Sequence, residues 1–366
     1  MANMSDLDVK MLDLYSDYLI SSFSYTTATG MSAMLSGSIS HDQVTRFLAA
    51  DDYDSKNLWH LVKPALRMIE TDDGVLVFDD TVEEKAYTDE NDIIAWHFDH
   101  TFGRNIKGVN IISCAYVNDA AAIPLAYDIV RKTTEVVDPK TGRKKRIADI
   151  SKNELFRKQF DRALKNSVRF SFVLADIWFS SAENMQHILK RHKQFIFPLK
   201  SNRLVALSTA DKRQGKFQSV ESISLEQGQV SRVFIKGLET EVLLAKQVFT
   251  NQDGSTGTLY LVSSDLTLDF TRMTAIYQKR WKVEEFHKSI KSNTALAKSP
   301  TKTVRTQSNH FFASIYSHFK LETLKLKTKK NHFALKSQIY LQAIRSSFQA
   351  LRQLQAENAT LGGCVR

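Results

Sequence analysis

Cysteine is scarce. Cys114 and Cys364 are the two in a chain of 366 residues, far apart, and Cys364 sits in a Gly-rich tail. Such a pair suggests neither a disulfide framework nor a zinc site. No apolar run approaches the roughly 20 residues that span a bilayer, and the opening MANMSDLDVK lacks the basic-then-apolar pattern of a secretory signal. The expectation is a cytoplasmic protein with no membrane partner. Long Pro-, Gly- or Gln-rich tracts and internal repeats are missing too, so the organisation rests on patterning.

What is present begins with charge. A chain of this length buries a large core and divides into two or three lobes. Its net charge is +10, unevenly spread. From residue 270 onward there are 18 Lys plus Arg against 4 Glu, or +14, so the preceding residues sum to 10 − 14 = −4. A basic third beside an acidic remainder suits a polyanionic partner held next to acidic chemistry. A solvated basic helical surface is the alternative.

Residues 1–70 read as a helical region. SDLDVKMLDLYSDYLISSF carries apolar residues at Leu7, Val9, Leu12, Leu14, Tyr18 and Leu19. In TGMSAMLSGSISHDQVTRFLAA a short helix meets Ser36-Gly37, and Ser40 with Gln43 makes a capping box. Helix, Gly-containing turn, helix is the shape of a helix-turn-helix, offering His41, Gln43, Thr45 and Arg46 to a DNA groove. Three-helix clusters also occur with no DNA role. From residue 73 the period changes. DGVLVFDDT, IIAWHFDH and GVNIISCAYV read as strands, followed by a basic turn at DPKTGRKKRI. KNELFRKQFDRALKNS reads as a helix, RFSFVLADIWF as a strand ending at Asp176, SAENMQHILKRH as a helix and QFIFPLK as a strand. Residues 71–200 thus suggest a mixed α/β sheet. Residues 201–264 read as a β-rich insertion, 265–300 as a further helical segment, and 301–366 as a basic helical region.

Acids end these strand runs: Asp79 and Asp80 one of them, Asp176 another. A further acid lies in AIYQKRWKVEEFHKSIK, residues 275–291. At roughly 100° per residue, with Tyr277 at zero, Arg280, Glu284 and Lys291 fall near about 300°, 340° and 320°. Ile276, Val283, Phe286 and Ile290 gather between roughly 180° and 260°, a core-facing stripe. Glu285 and Lys282 lie away from both. Taken singly, Arg280 and Glu284 are a one-turn pair worth a few tenths of a kcal/mol, and acids at strand ends serve as turn residues and caps. Taken together they suit magnesium, which accepts hard oxygen ligands and needs two or three carboxylates. Two such ions about 4 Å apart activate a water on one side of a phosphodiester and stabilise the leaving oxygen on the other.

At these residues the sequence resembles the DDE transposases of bacterial insertion sequences, in the branch that carries the YREK signature and includes the insertion-sequence-four group. Tyr277, Arg280, Glu284 and Lys291 fit every gap of that signature. Asp79-Asp80-Thr81 matches the branch's Asp-x-Thr, LADIWF matches its second motif at Asp176, and residues 201–264 match its β insertion. The resemblance implies an RNase H-like catalytic core in which Asp79, Asp176 and Glu284 hold magnesium, with manganese as a substitute. Water would cut the element end to leave a 3′-hydroxyl, which would then attack target DNA in line. Tyr277, Arg280 and Lys291 would hold phosphates, Arg280 with a bidentate grip. The implied partners are double-stranded DNA, as terminal inverted repeats and as target, and a second copy in a DNA-bound homodimer. The implied setting is the bacterial cytoplasm, at the nucleoid. A same-fold endonuclease without strand transfer and a catalytically decayed DNA-binding repressor are the alternatives.

Two departures qualify the match. Successive strand residues point to opposite faces, so Asp80 stays open beside Asp79, which the Asp-x-Thr spacing favours. Relatives in the branch often stack a flipped base on a tryptophan of the insertion. Residues 201–264 contain no Trp, leaving Phe217, Phe234, Phe249 and Tyr260, and whether a hairpin intermediate forms stays open. His97 and His100 have metal-like spacing, but an alternating strand points them apart. Arg143, Lys144 and Lys145 belong to a basic loop that either touches DNA backbone or is solvated, and Glu83 and Glu84 read as solvated.

Overall fold

The structure is a computed structural model that describes residues 5–99, 103–137, 139, 142, 144–250 and 253–361. In chain order it contains α1 (Asp6–Ser21), α2 (Ala28–Met34), α3 (His41–Ala50), α4 (Ser55–Ile69), β1 (Val75–Glu84), β2 (Ala95–Asp99), β3 (Arg104–Val117) and β4 (Ala122–Ile129). There follow β5 (Thr134–Val137), β6 (Lys144–Ile147), α5 (Lys152–Lys165), β7 (Phe172–Ala175), α6 (Ala182–Leu189), β8 (Gln194–Leu199), β9 (Leu204–Ala206), α7 (Thr209–Arg213) and β10 (Gln218–Ser219). Then come β11 (Val230–Ile235), β12 (Val242–Thr250), β13 (Thr256–Ser263), α8 (Phe270–Gln278), α9 (Trp281–Asn293), α10 (Val304–Thr328) and α11 (His332–Leu361). Among the described residues no helix is long and apolar enough to cross a membrane. The chain divides into two compact units, Tyr53–His287 and the segments up to Asp52 and from Lys288.

The central unit is built on β1. Val75, Leu76, Val77 and Phe78 are fully buried, because the strand has neighbours on both edges and helices cover the sheet. Each such apolar side chain contributes about 1.5–3 kcal/mol on burial. β1 runs antiparallel to β3 and parallel to β7, and β7 runs parallel to β8. Outside β3 lie β2 and β4. This is an α/β fold with the mixed strand order of an RNase H-like core, as expected. α4 and α5 pack on it, and the rings of Phe78 and Phe156 meet at 4.4 Å between centroids.

The segment read as an insertion is rich in strands, and these join the core sheet. β13 pairs with β8, β12 with β13 and β11 with β12, so among the described residues it extends the core into one eleven-stranded sheet. A separate β module does not form, because β8 would otherwise expose an edge of unpaired backbone groups. The basic turn is likewise part of a hairpin, β5 with β6. The other unit is helical. Leu12, Tyr15, Val44, Phe47, Phe311 and Phe312 form its core. The Ser40–Gln43 capping box is present in both directions, at 3.2 and 2.8 Å, and Ser36 and Gly37 take positive φ in the turn before it.

Candidate active site

β1 and β7 lie side by side with Phe78 opposite Ala175, so Asp79 and Asp176 are the next pair along adjacent parallel strands. Asp176 precedes a single turn of 3-10 helix, Ile177–Phe179, without capping it by its side chain. The carboxylate is thereby left to the site. From α9 comes Glu284, half-buried, whose Oε1 accepts from Arg280 Nη2 at 2.6 Å. Arg280 Nη1 lies 3.8 Å from Asp79 Oδ2, so one guanidinium spans two of the acids. Tyr277 is buried beneath it, the guanidinium carbon 5.7 Å from the ring centre.

The electrostatics follow from that crowding. Asp79 is pushed up to about 7, first by burial, then by the charges of Asp176 and Asp80, against the pull of Arg280. Burial also raises Tyr277, which Arg280 lowers and Asp176 and Asp79 raise further. For Arg280, burial alone would lower the value, but Tyr277, Glu284 and Asp79 together raise it. The pocket holds more negative charge than one guanidinium offsets.

Asp80 faces elsewhere. Its Oδ2 accepts from Asn110 Nδ2 at 2.7 Å and Lys152 Nζ at 2.6 Å, a pairing that joins β1 to β3 and to the start of α5. Glu285 is exposed and bonds Lys282 at 2.8 Å. The helix read as continuous from 275 to 291 is broken after Gln278 and resumes at Trp281. Tyr277, Arg280 and Glu284 nevertheless converge. Val283, Phe286 and Ile290 are buried as the wheel predicted, while Ile276 is only half-buried and Met273 takes the core position. Lys291 follows Glu284 by seven residues on α9.

Of the remaining sequence-selected residues, Arg46 is exposed on α3, and Gln43, also exposed, gives its Oε1 to the cap. Lys144 and Lys145 are exposed on β6. Arg143 and His100 lie outside the described residues. His97 is buried on β2 and lowered to about 3, chiefly by burial.

Three features escaped the sequence. His287 Nε2 lies 2.9 Å from Ser113 Oγ in a buried contact, and Ser113 is the β3 residue paired with Asp79. That bond seats α9 on the sheet beside the first acid. Lys152 had no local signal, since its partner is 72 residues away. Third, a groove of about 550 Å³ opens just past Asp176, lined by Asn153, Trp178, Lys200, Arg203 and Lys236. Trp178 is half exposed, with Lys200 Nζ 4.8 Å from its ring centre. A polar interruption in an apolar stripe was the one available hint to His287.

Comparison with known proteins fits this geometry. Residues 6–217 match the family described as DDE superfamily endonuclease, and residues 131–319 the family described as Transposase DDE domain. No curated protein matches. Among solved structures, the Drosophila P element transposase strand transfer complex is 9% identical over 60% of this chain and 48% of that one, with a TM-score of 0.29. The chain thus spans about half the length of that transposase, and so slight a likeness bears on neither fold nor chemistry. With each of the two matched families covering more than half of its residues, and acids placed within β1, just after β7 and on α9, the chain belongs to the DDE superfamily of endonucleases and transposases.

Proposed function

We propose that the protein is a DNA transposase of the YREK-signature branch, which cuts the ends of its insertion sequence and joins the freed 3′-hydroxyls to target DNA. The observation that carries this reading is that one guanidinium, Arg280, reaches both Asp79 and Glu284, while the charge of Asp176 acts on Asp79. Their donors are hard carboxylate oxygens in a pocket with excess negative charge, the chemistry that magnesium or manganese requires. When bound, such ions supply activation of a water or hydroxyl nucleophile and charge stabilisation at the phosphate.

The chain's own residues carry the rest. Asp79, Asp176 and Glu284 are the ligand residues, and Asp80 is a structural anchor through Asn110 and Lys152. Arg280 and Lys291 hold phosphate oxygens near the scissile bond, and Tyr277 fixes the Arg280 plane from below. Water attacks phosphorus in line and the 3′-oxygen leaves, taking a proton to become a 3′-hydroxyl. In joining, that hydroxyl attacks a target phosphodiester, forming one P–O bond as another breaks. Lys200, Arg203 and Lys236 offer cations to a strand leaving the site, with Trp178 as a face on which a base stacks. Arg46, Gln43, Arg143, Lys144 and Lys145 serve duplex contact, and two copies act on paired ends.

The test is purified protein with magnesium and DNA bearing the inverted repeats that flank the gene. Cleavage and joined products in a target plasmid are expected, and Asp176→Ala and Glu284→Gln should each abolish detectable cleavage, because each removes a carboxylate proposed to hold the ions. Parent-like cleavage by either variant overturns the carboxylate assignment. Cleavage with no joined product identifies an endonuclease alone.

A further inference from the structure

A second cluster of ligating side chains lies in the helical unit, made of residues that the carboxylate site does not use. His318 and Glu322 are one turn apart on α10, and His332 opens α11 after a turn in which Lys329 takes φ 61°. One donor atom from each of the three lies within 4.8 Å of the others. All three side chains are buried, with residue exposures of 2%, 2% and 6%. The His318 and His332 rings meet edge to face at 4.8 Å between centroids. Glu322 Oε2 is 2.7 Å from His332 Nε2, and its Oε1 is 2.7 Å from Lys325 Nζ.

We propose that His318, Glu322 and His332 form a binding site for a zinc-class divalent ion that ties α11 to α10. Two imidazole nitrogens and one carboxylate oxygen are a borderline donor set, suited to zinc and its first-row neighbours and poorly suited to magnesium, which takes hard oxygens. His332 is already oriented for the task. Its Nδ1 lies 2.8 Å from Ser289 Oγ, which also accepts from Asn293 Nδ2 at 3.1 Å. As the chain stands, Nε2–H donates to Glu322 Oε2; an ion would displace that proton, with the remaining proton on Nδ1 donated to the Ser289 hydroxyl and the Nε2 lone pair given to the ion, the outer-partner arrangement that metal-bound histidines use. Glu322 divides its two oxygens, one toward Lys325 and one toward the cluster, so a bound ion does not have to displace the lysine. Burial of all three ligands makes the site structural, with binding energy appearing as stability of the fold. No thiol takes part, so cysteine spacing gives no sign of it.

The experiment is elemental analysis and thermal unfolding of the full chain, purified without chelator, then dialysed against zinc or against EDTA. About one equivalent of tightly held zinc per chain is expected, with a melting temperature several degrees higher than in EDTA. Cobalt substitution should give the visible absorption of a nitrogen- and oxygen-ligated ion. His332→Asn and, separately, His318→Asn should each cut zinc content at least ten-fold and remove the zinc-dependent shift. Asp176→Asn, which leaves these ligands untouched, should retain both. Failure of DNA cleavage therefore does not count against this site. A parent chain that holds no zinc after dialysis, or histidine variants that hold as much as the parent, overturns the proposal, and so does a magnesium-induced shift of equal size that the histidine variants lose.

Discussion

Asp79 carries a charge that its surroundings oppose. Burial and two neighbouring aspartates favour its protonated form, against one guanidinium. A carboxyl raised in the folded state contributes stability that is fully present below its ordinary value of 3.8 and is lost as pH rises through about 7. Urea unfolding of the metal-free protein should therefore show stability falling between about pH 4 and pH 7, and Asp79→Asn should flatten that part of the profile. Because a divalent cation binds the deprotonated form, added magnesium should raise the melting temperature more at about pH 8 than at about pH 6. Arg280 is the counterpart. Arg280→Ala should weaken DNA cleavage more than Arg280→Lys, since a lysine keeps the charge while losing the fork that spans Asp79 and Glu284. An equal loss in both variants in a cleavage titration would show that geometry rather than charge is what the site needs.

At the scale of the element, α9 matters through where it is seated. The His287–Ser113 bond fixes it against β3, so Ser113→Ala should cost about 1–3 kcal/mol for a buried group left unpaired, read as a shift of the urea midpoint. A larger effect belongs to Gly108 on β3, where an added Cβ would come within 2.2 Å of the Glu83 carbonyl oxygen on β1. Backbone cannot move aside as a side chain can, so Gly108→Ala should destabilise the β1–β3 pairing and lower the melting temperature more than Ser113→Ala does. The strands that carry Asp79 and precede Asp176 were legible in the sequence because buried apolar runs announce themselves locally, although β1 runs on through Asp79 and Asp80 to Glu84 instead of ending there, because β3 pairs with it along that whole length. The stripe of Tyr277, Arg280 and Glu284 was legible for the same reason, although the break after Gln278 was not. The continuity of the insertion with the core was hidden, since β8 and β13 are joined by pairing between residues some sixty positions apart, such as Leu199 and Tyr260. So were Lys152 and Asn110 as the partners of Asp80, which no spacing rule reaches.

Over the whole molecule the charge is divided, with +14 from residue 270 onward and −4 before it. Non-specific duplex binding should accordingly weaken steeply with salt. Every phosphate that a lysine neutralises adds about 0.9 to the slope of log affinity against log salt, so replacing both Lys144 and Lys145 with Ala should reduce it by about 1.8 if the β6 hairpin touches backbone. An unchanged slope in a fluorescence titration would assign those lysines to solvent. The acids, by contrast, are few and widely spaced along the chain. They stand at positions 79, 176 and 284, with the whole of the insertion between the second and the third. During synthesis the ribosome must therefore enter α9 before the third carboxylate exists at all. A message cut short anywhere upstream yields a chain without the third of the acids proposed as ligands, and without the basic stretch that follows it.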